Sequence, residues 1–194
     1  MLTLESKIFW QSTEEVAREL LGKYLCRESQ EGLVYGKIIE TEAYLSEDDP
    51  ACHSSRGITR RNTNMFGPPG KAYIYFIYGK YFCFNVVTGA EGTGEAVLVR
   101  AVEPIVGLDI MKQRRGSNLG RYHLASGPGK LCQAFAIDKS LDGHDLLEKP
   151  LYLADNSIED DRMRIIATPR IGISAAQDKL LRFIVSGSKY LSRR

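Results

Sequence analysis

The chain has 194 residues, 43% hydrophobic and 26% charged, with a net charge of +2. That length fits a single domain over 1–194 with a proper core, and the composition is ordinary for a soluble globular protein. No apolar run approaches the roughly 18 residues of a membrane span, and "MLTLESKIFWQSTEEVAREL" lacks the basic-then-apolar pattern of a signal peptide. These features predict a cytoplasmic protein with no membrane partner.

In chain order, "QSTEEVARELLGKYL" opens with Ser12 and Glu15 at capping-box spacing, carries Val16, Leu20 and Leu21 as an apolar stripe, and stops at Gly22. A short amphipathic helix is expected there. Strands are expected over 32–45, with Gly36 a bulge or kink, then over 72–78 and 81–88. Gly79-Lys80 between the last two suits a two-residue type II′ hairpin turn. "GEAVLVRAVEP" reads as a strand ending before Pro104. "VGLDIMKQRR" and "GPGKLCQAFAI" read as helices, and "RIGIS" and "LLRFIVSGS" return to β pattern. Adjacent strands with few helices between them predict an α+β fold with a largely antiparallel sheet.

Cys26, Cys52, Cys83 and Cys132 are scattered, without a CxxC pair, which argues for reduced core thiols over a zinc knuckle or disulfide framework. Charge is distributed unevenly. Residues 1–51 hold 5 basic and 11 acidic side chains, whereas 52–132 hold 11 basic and 4 acidic. The basic set includes Arg56, Arg60, Arg61, Lys71, Lys80, Lys112, Arg114, Arg115, Arg121 and Lys130. Such a concentration marks either a polyanion-binding face or a solvated surface.

The chemistry concentrates in "KIIETEAYLS". Period two puts Ile38, Glu40, Glu42 and Tyr44 on one strand face, so two carboxylates and an aromatic lie side by side. Arg100 interrupts the apolar run "AVLVRAV" and needs a carboxylate partner, for which Glu40 and Glu42 are the candidates. As a structural ion pair this would be ordinary; as a functional pair, Arg100 would keep Glu42 ionised and help it hold a water. In "YIYFIYGKYFCFNV", Tyr78 falls at a hairpin tip beside Lys80, a poor place for a core residue and a good one for wedging between bases. "SEDDPACHSSRG" brings Asp48, Asp49, Cys52 and His53 together, but no second His lies at ligand spacing, so no metal and no cofactor are expected. There is no GxSxG, P-loop, GxGxxG or deaminase signature. A non-catalytic lesion- or RNA-binding module and a metal-dependent nuclease remain alternatives on these residues.

"ETEAYL", "ACHS", "RRNTNMFGPPGKAYIYFIYGKYFCFNVV", "GEAVLVRAVEP" and "SGPGKLCQAFAI" occur in this order, and together they resemble the alkyladenine (3-methyladenine/hypoxanthine) DNA glycosylase family. The resemblance implies a curved antiparallel sheet surrounded by helices, with a protruding β-hairpin that intercalates in DNA. It implies a monofunctional enzyme that flips alkylated or deaminated purines out of duplex DNA and cleaves the N-glycosidic bond. Its partner would be double-stranded DNA carrying damaged purines, bound by a monomer, and in a bacterium it would work at the nucleoid. On the matching positions, Glu42 would be the general base, with Arg100 and a backbone carbonyl near Ile171 completing a cradle for water. Tyr44, His53 and Tyr75 would enclose the flipped base, the backbone around Ala51 and His53 would read its edge, and Asn85 would crowd out guanine. Tyr78 would fill the vacated stack with Met65 beside it. Arg60, Arg61, Lys80 and Lys130 would meet the DNA backbone. Glu40 would be structural. A long loop over 88–95 and Lys80 after the hairpin Gly depart from the animal members.

Overall fold

The capping box forms as its spacing predicts. In the computed structural model, which describes residues 2–116, 118–155 and 163–193, the Ser12 side chain accepts from the Glu15 amide and Glu15 accepts from the Ser12 amide at 3.1 Å. The short strand β1 (Leu2–Thr3) precedes this helix, α1 (Thr13–Glu19), whose Val16 and Ala17 are buried; Gly22 then turns the chain in the left-handed region. The remaining elements are β2 (Tyr24–Ser29), β3 (Gly32–Tyr44), β4 (Ala72–Ile77), β5 (Tyr81–Thr88), β6 (Glu95–Val106), α2 (Leu108–Arg115), α3 (Pro128–Ala134), β7 (Leu151–Asp155), β8 (Ile165–Thr168) and β9 (Arg182–Val185). Pro128 at the first turn of α3 supplies the fixed φ and missing N–H that a helix start tolerates.

Among the described residues the strands form one antiparallel sheet in the order β1-β7-β2-β3-β6-β5-β4, with β9 added to β3 and β8 to β9. The fold is a single α+β domain built on a curled sheet. β3 is its pivot. Its first half pairs with β2, and from Glu40 onward β9 takes that side, while β6 runs along the other edge from Tyr35 to Tyr44. The main core packs α1, α2 and α3 against the sheet through Val16, Leu20, Ile38, Phe84, Val99, Met111, Leu131 and Phe183. All four cysteines are buried, as their scatter suggests.

Three local expectations change, and three strands appear where none was expected. β6 does not stop before Pro104 but continues to Val106. Pro104 is tolerated because the register is irregular at its partner Gly36, where a Cβ would lie 2.6 Å from the Glu103 carbonyl oxygen. The β4–β5 connection is a three-residue loop, with Ile77 opposite Tyr81 and the Lys80 amide donating to the Ile77 carbonyl. Tyr78 and Gly79 both have positive φ (54° and 63°), as a type I′ turn requires, so the tyrosine takes a position that disfavours bulky residues. "RIGIS" is not a strand, because its Arg170 side chain and Ile171 amide turn inward to carboxylates. Finally, β2, β7 and β8 carry no strong pattern of their own and are fixed by their partners.

Candidate active site

Two offset bulges build the centre of the molecule. Along β3 and β6 the pairs run Ile38 with Val102, Glu40 with Ala101, then Thr41 with Val99. Ile39 is therefore extra on β3 and Arg100 extra on β6, and the two cancel. The period-two alternation breaks at this point. Ile38 joins the main core, while Ile39 packs with Ala101 and Tyr190 in a separate cluster. Glu40, Glu42 and Tyr44 keep the common face expected of them, and Ile38 does not share it. A bulged residue is re-aimed out of the ladder, which is how an arginine enters this apolar strand.

Arg100 meets both carboxylates, through Nε to Glu40 Oε1 and through Nη1 to Glu42 Oε2, each at 3.1 Å. Glu42 has no exposed surface. Its Oε2 also accepts from the Tyr44 hydroxyl at 2.9 Å, and its Oε1 accepts from the Ile171 amide at 2.8 Å. Counting two lone pairs per oxygen, the described residues fill both on Oε2 and one on Oε1. Burial raises the Glu42 pKa above the ordinary carboxylate value, opposed by the Arg100 charge and by the Ile171 and Tyr44 hydrogen bonds. Burial would lower Arg100, but Glu42 and Glu40 outweigh it and hold its pKa raised. Glu40 is equally buried and binds Arg182 Nε at 2.7 Å. Two arginines and two glutamates thus neutralise one another inside the sheet, the condition under which buried charge is tolerable.

Beside this cluster lies a cavity of about 250 Å³ lined by Tyr44, Ala51, His53, Met65, Tyr75 and Asn85, with Gly172–Ala175 and others closing it. Tyr44 belongs to both features: its ring lines the cavity and its hydroxyl reaches Glu42, which stands behind the wall rather than in it. The His53 ring packs edge-on to Tyr75 with centroids 4.5 Å apart, and its Nδ1 is 2.8 Å from the Tyr73 hydroxyl. Desolvation among these rings, and then Arg61, hold the His53 imidazole below its usual pKa. Asn85 is buried and donates from Nδ2 to the Tyr73 carbonyl at 2.9 Å, which fixes the orientation of its amide. The Ala51 amide is already engaged by Asp49 at 3.3 Å, and the His53 carbonyl accepts from Asn62 at 3.0 Å.

Ile171, expected through its carbonyl, contacts Glu42 through its amide. Met65 is only 2% exposed and packs with Cys52, Tyr73 and Val87, so it sits inside the cavity wall and not at the surface with Tyr78. Tyr78 is 82% exposed, and Phe76 and Ile58 are exposed hydrophobics as well. Arg60, Lys80 and Lys130 are exposed. Arg61 is exposed too, donates to the Phe76 carbonyl and lies over the Tyr75 ring, 5.5 Å from its centroid. Other members of the basic set are committed internally: Lys71 to Asp145, Arg114 to Glu31, and Arg115 to the Leu124 carbonyl and Gln133. The charge imbalance therefore overstates the free basic surface.

The sequence reading missed Arg170. Its side chain is wholly buried, pairs with Asp49 through both guanidinium Nη atoms at 2.5 and 2.6 Å, donates to the Ala43 carbonyl, and lies 4.7 Å from the Tyr44 ring centroid. It ties the loop bearing Ala51 and His53 to the loop bearing Ile171, and it backs the aromatic wall. The isolated arginine in "TPRIGIS" was the available signal. Among the described residues, no group of three or more His, Cys, Asp or Glu side chains is arranged to hold a metal ion. No helix among them is long and apolar enough to cross a membrane.

Residues 7–189 match the family model described as methylpurine-DNA glycosylase. Curated relatives run the length of the chain. A protein from Carboxydothermus hydrogenoformans, provisionally named a 3-methyladenine DNA glycosylase, is 53% identical over 92% of this chain and 93% of its own. A similarly named protein from Methanoculleus marisnigri is 50% identical over the whole of both chains. One from Legionella pneumophila is 43% identical, again over both entire chains.

Proposed function

The chain belongs to the methylpurine-DNA glycosylase family, and from that premise we propose that it flips alkylated or deaminated purines out of duplex DNA and hydrolyses the N-glycosidic bond with a Glu42-activated water. The observation that carries this reading is a buried carboxylate, held by Arg100, Tyr44 and the Ile171 amide and with one Oε1 lone pair left open by the described residues, behind the aromatic wall of a base-sized cavity. Substrate candidates are 3-methyladenine, 7-methylguanine, hypoxanthine and ethenoadenine. Flipping costs a few kcal/mol, least for damaged bases, and stacking at roughly 1–3 kcal/mol per base offsets much of it. Tyr44, His53 and Tyr75 supply that stacking, the backbone near Ala51 and His53 meets the base edge, and Asn85 crowds a guanine 2-amino group. Tyr78 fills the gap left in the duplex, while Arg60, Arg61, Lys80 and Lys130 contact phosphates. Met65 shapes the pocket from within.

In the reaction, a water beside Oε1 gives its proton to Glu42 and its oxygen bonds to C1′ as the C1′–N bond breaks. The electron pair leaves with the base. A cationic base such as 3-methyladenine departs neutral without further help, whereas hypoxanthine needs a proton during departure. Arg100 holds Glu42 in its charged form, and the carboxylate also stabilises the oxocarbenium-like sugar. The Ile171 amide anchors Oε1 so that its remaining lone pair faces the water. With water as nucleophile the enzyme needs neither metal nor amine, and a monomeric single domain suffices.

The test uses oligonucleotides carrying each lesion, in excess EDTA, with and without borohydride. Release of free base, an intact strand until alkali is added, and no trapped adduct are expected. A requirement for metal, or a borohydride-trapped protein–DNA adduct indicating a Schiff base, would overturn the hydrolytic reading.

A further inference from the structure

We propose that the segment Tyr190–Arg193, beyond β9, is a positioning element for Arg100: Ser192 occupies both oxygens of Glu40 and thereby keeps the arginine open toward Glu42. The family model's match ends at residue 189, just before this segment. It is nevertheless locked to the charge cluster. The Ser192 amide donates to Glu40 Oε2 at 2.6 Å and its hydroxyl donates to Glu40 Oε1 at 2.7 Å. The same hydroxyl oxygen accepts weakly from Arg100 Nε and Nη2, both at 3.4 Å. Arg182, which binds Glu40 Oε1, also donates to the Arg193 carbonyl at 2.9 Å. Tyr190 is buried against Ile39 and Ala101, the bulged residue of β3 and the neighbour of the bulged Arg100.

Arginine and carboxylate prefer a bidentate fork. Arg100 does not form one with Glu40. It spends Nε there and gives Nη1 to Glu42. Among the described residues, Ser192 supplies the hydrogen bond on Glu40 Oε2, the oxygen that Arg100 Nη2, on the same guanidinium edge as Nε, would need for a closed fork. With Ser192 removed, Nε and Nη2 can close onto Glu40 Oε1 and Oε2, and the turn of the guanidinium that this requires draws Nη1 away from Glu42. The inference rests on Glu42 being the base. The charged and titratable groups around Glu42 are Arg100 on β6, Glu40 and Tyr44 on β3, Arg182 opposite it on β9, Cys83 on β5 and Arg170 in the preceding loop. Among these, Arg100 is the cation that hydrogen-bonds Glu42, so weakening it disfavours the ionised carboxylate.

The experiment compares the wild-type chain with one ending at Leu191, which keeps Tyr190, and with Ser192→Pro, which removes both donors. Ser192→Ala removes the hydroxyl alone. Single-turnover excision is followed against pH, alongside lesion-DNA affinity and the urea midpoint. The acidic limb should move up by about one pH unit, with rates on that limb falling about tenfold. Affinity should not change, and Ser192→Ala should give a smaller shift. An unshifted limb in both Ser192 variants, or a rate loss uniform across pH, would overturn the inference. If the shorter chain loses cooperative unfolding, the two substitutions decide. An active Glu42→Gln enzyme would instead overturn the base assignment, independently of the tail.

Discussion

The buried charge cluster and the β4–β5 hairpin tip are built on opposite principles. Glu40, Glu42, Arg100 and Arg182 come from three strands, are buried, and hold one another through multiple hydrogen bonds. Tyr78 stands on a three-residue loop, 82% exposed, with a backbone conformation that costs an L-residue about 1–2 kcal/mol. The first region is over-determined, as the proposed role of Glu42 as general base would require. The second is under-packed, as expected if Tyr78 meets another molecule. Perturbing the cluster should therefore cost chemistry and stability together, whereas perturbing the tip should cost binding and leave the fold intact.

The largest effect expected is on rate. Glu42→Gln should retain lesion binding but lose excision by about two to four orders of magnitude, the usual cost of removing a general base. With Glu42 as the proposed base, excision in the unmodified enzyme would require the ionised form, and burial raises the pKa of this carboxyl. The rate should therefore climb with pH through a value above the ordinary carboxylate range and level off for cationic lesions. Neutral lesions, which need a proton donor as well, should fall again at higher pH. Single-turnover rates on both lesion classes check the sign and the shape.

Next in size is Arg100→Met. It leaves two buried carboxylates short of their shared cation and should destabilise the fold by about 3–5 kcal/mol, read from the urea midpoint. A loss under 1 kcal/mol would mean that the cluster is less dependent on its charges than its burial implies.

Tyr78→Gly should separate the regions most cleanly. Relief of the left-handed conformation should raise stability by about 0.5–1 kcal/mol after the entropy cost of glycine. Lesion-DNA binding should weaken by roughly 1–3 kcal/mol. Opposite signs in calorimetry and affinity confirm a tip strained for contact, while a matched loss in both would place Tyr78 in the packing. The smallest effect expected is at Lys80. Lys80→Ala should weaken binding to all duplexes alike and make the log affinity–log salt slope shallower by about one unit.

Much of this was legible in one dimension because local chemistry dictated it. The capping box at Ser12 and Glu15, the bulge at Gly36, the β4–β5 hairpin and the demand of Arg100 for a carboxylate all follow from residue types at short spacing. The common face of Glu40, Glu42 and Tyr44 follows from the pleat, and family membership follows from ordered motifs spread along the chain. What the sequence could not determine depended on residues far apart coming together. Paired bulges on β3 and β6 separate Ile38 from Glu40 and aim Arg100 inward, and unlike the one at Gly36 they carry no glycine that would mark them in either strand. Arg170 lies 121 positions from Asp49 and Ser192 lies 152 from Glu40. Neither position carries a periodic signal, because each is chosen for the one buried carboxylate it satisfies. β2 and β7 are likewise decided by the neighbours whose unpaired backbone they complete. Local propensity therefore placed the chemistry on the chain, while the requirement that every buried charge and backbone group find a partner arranged it in space.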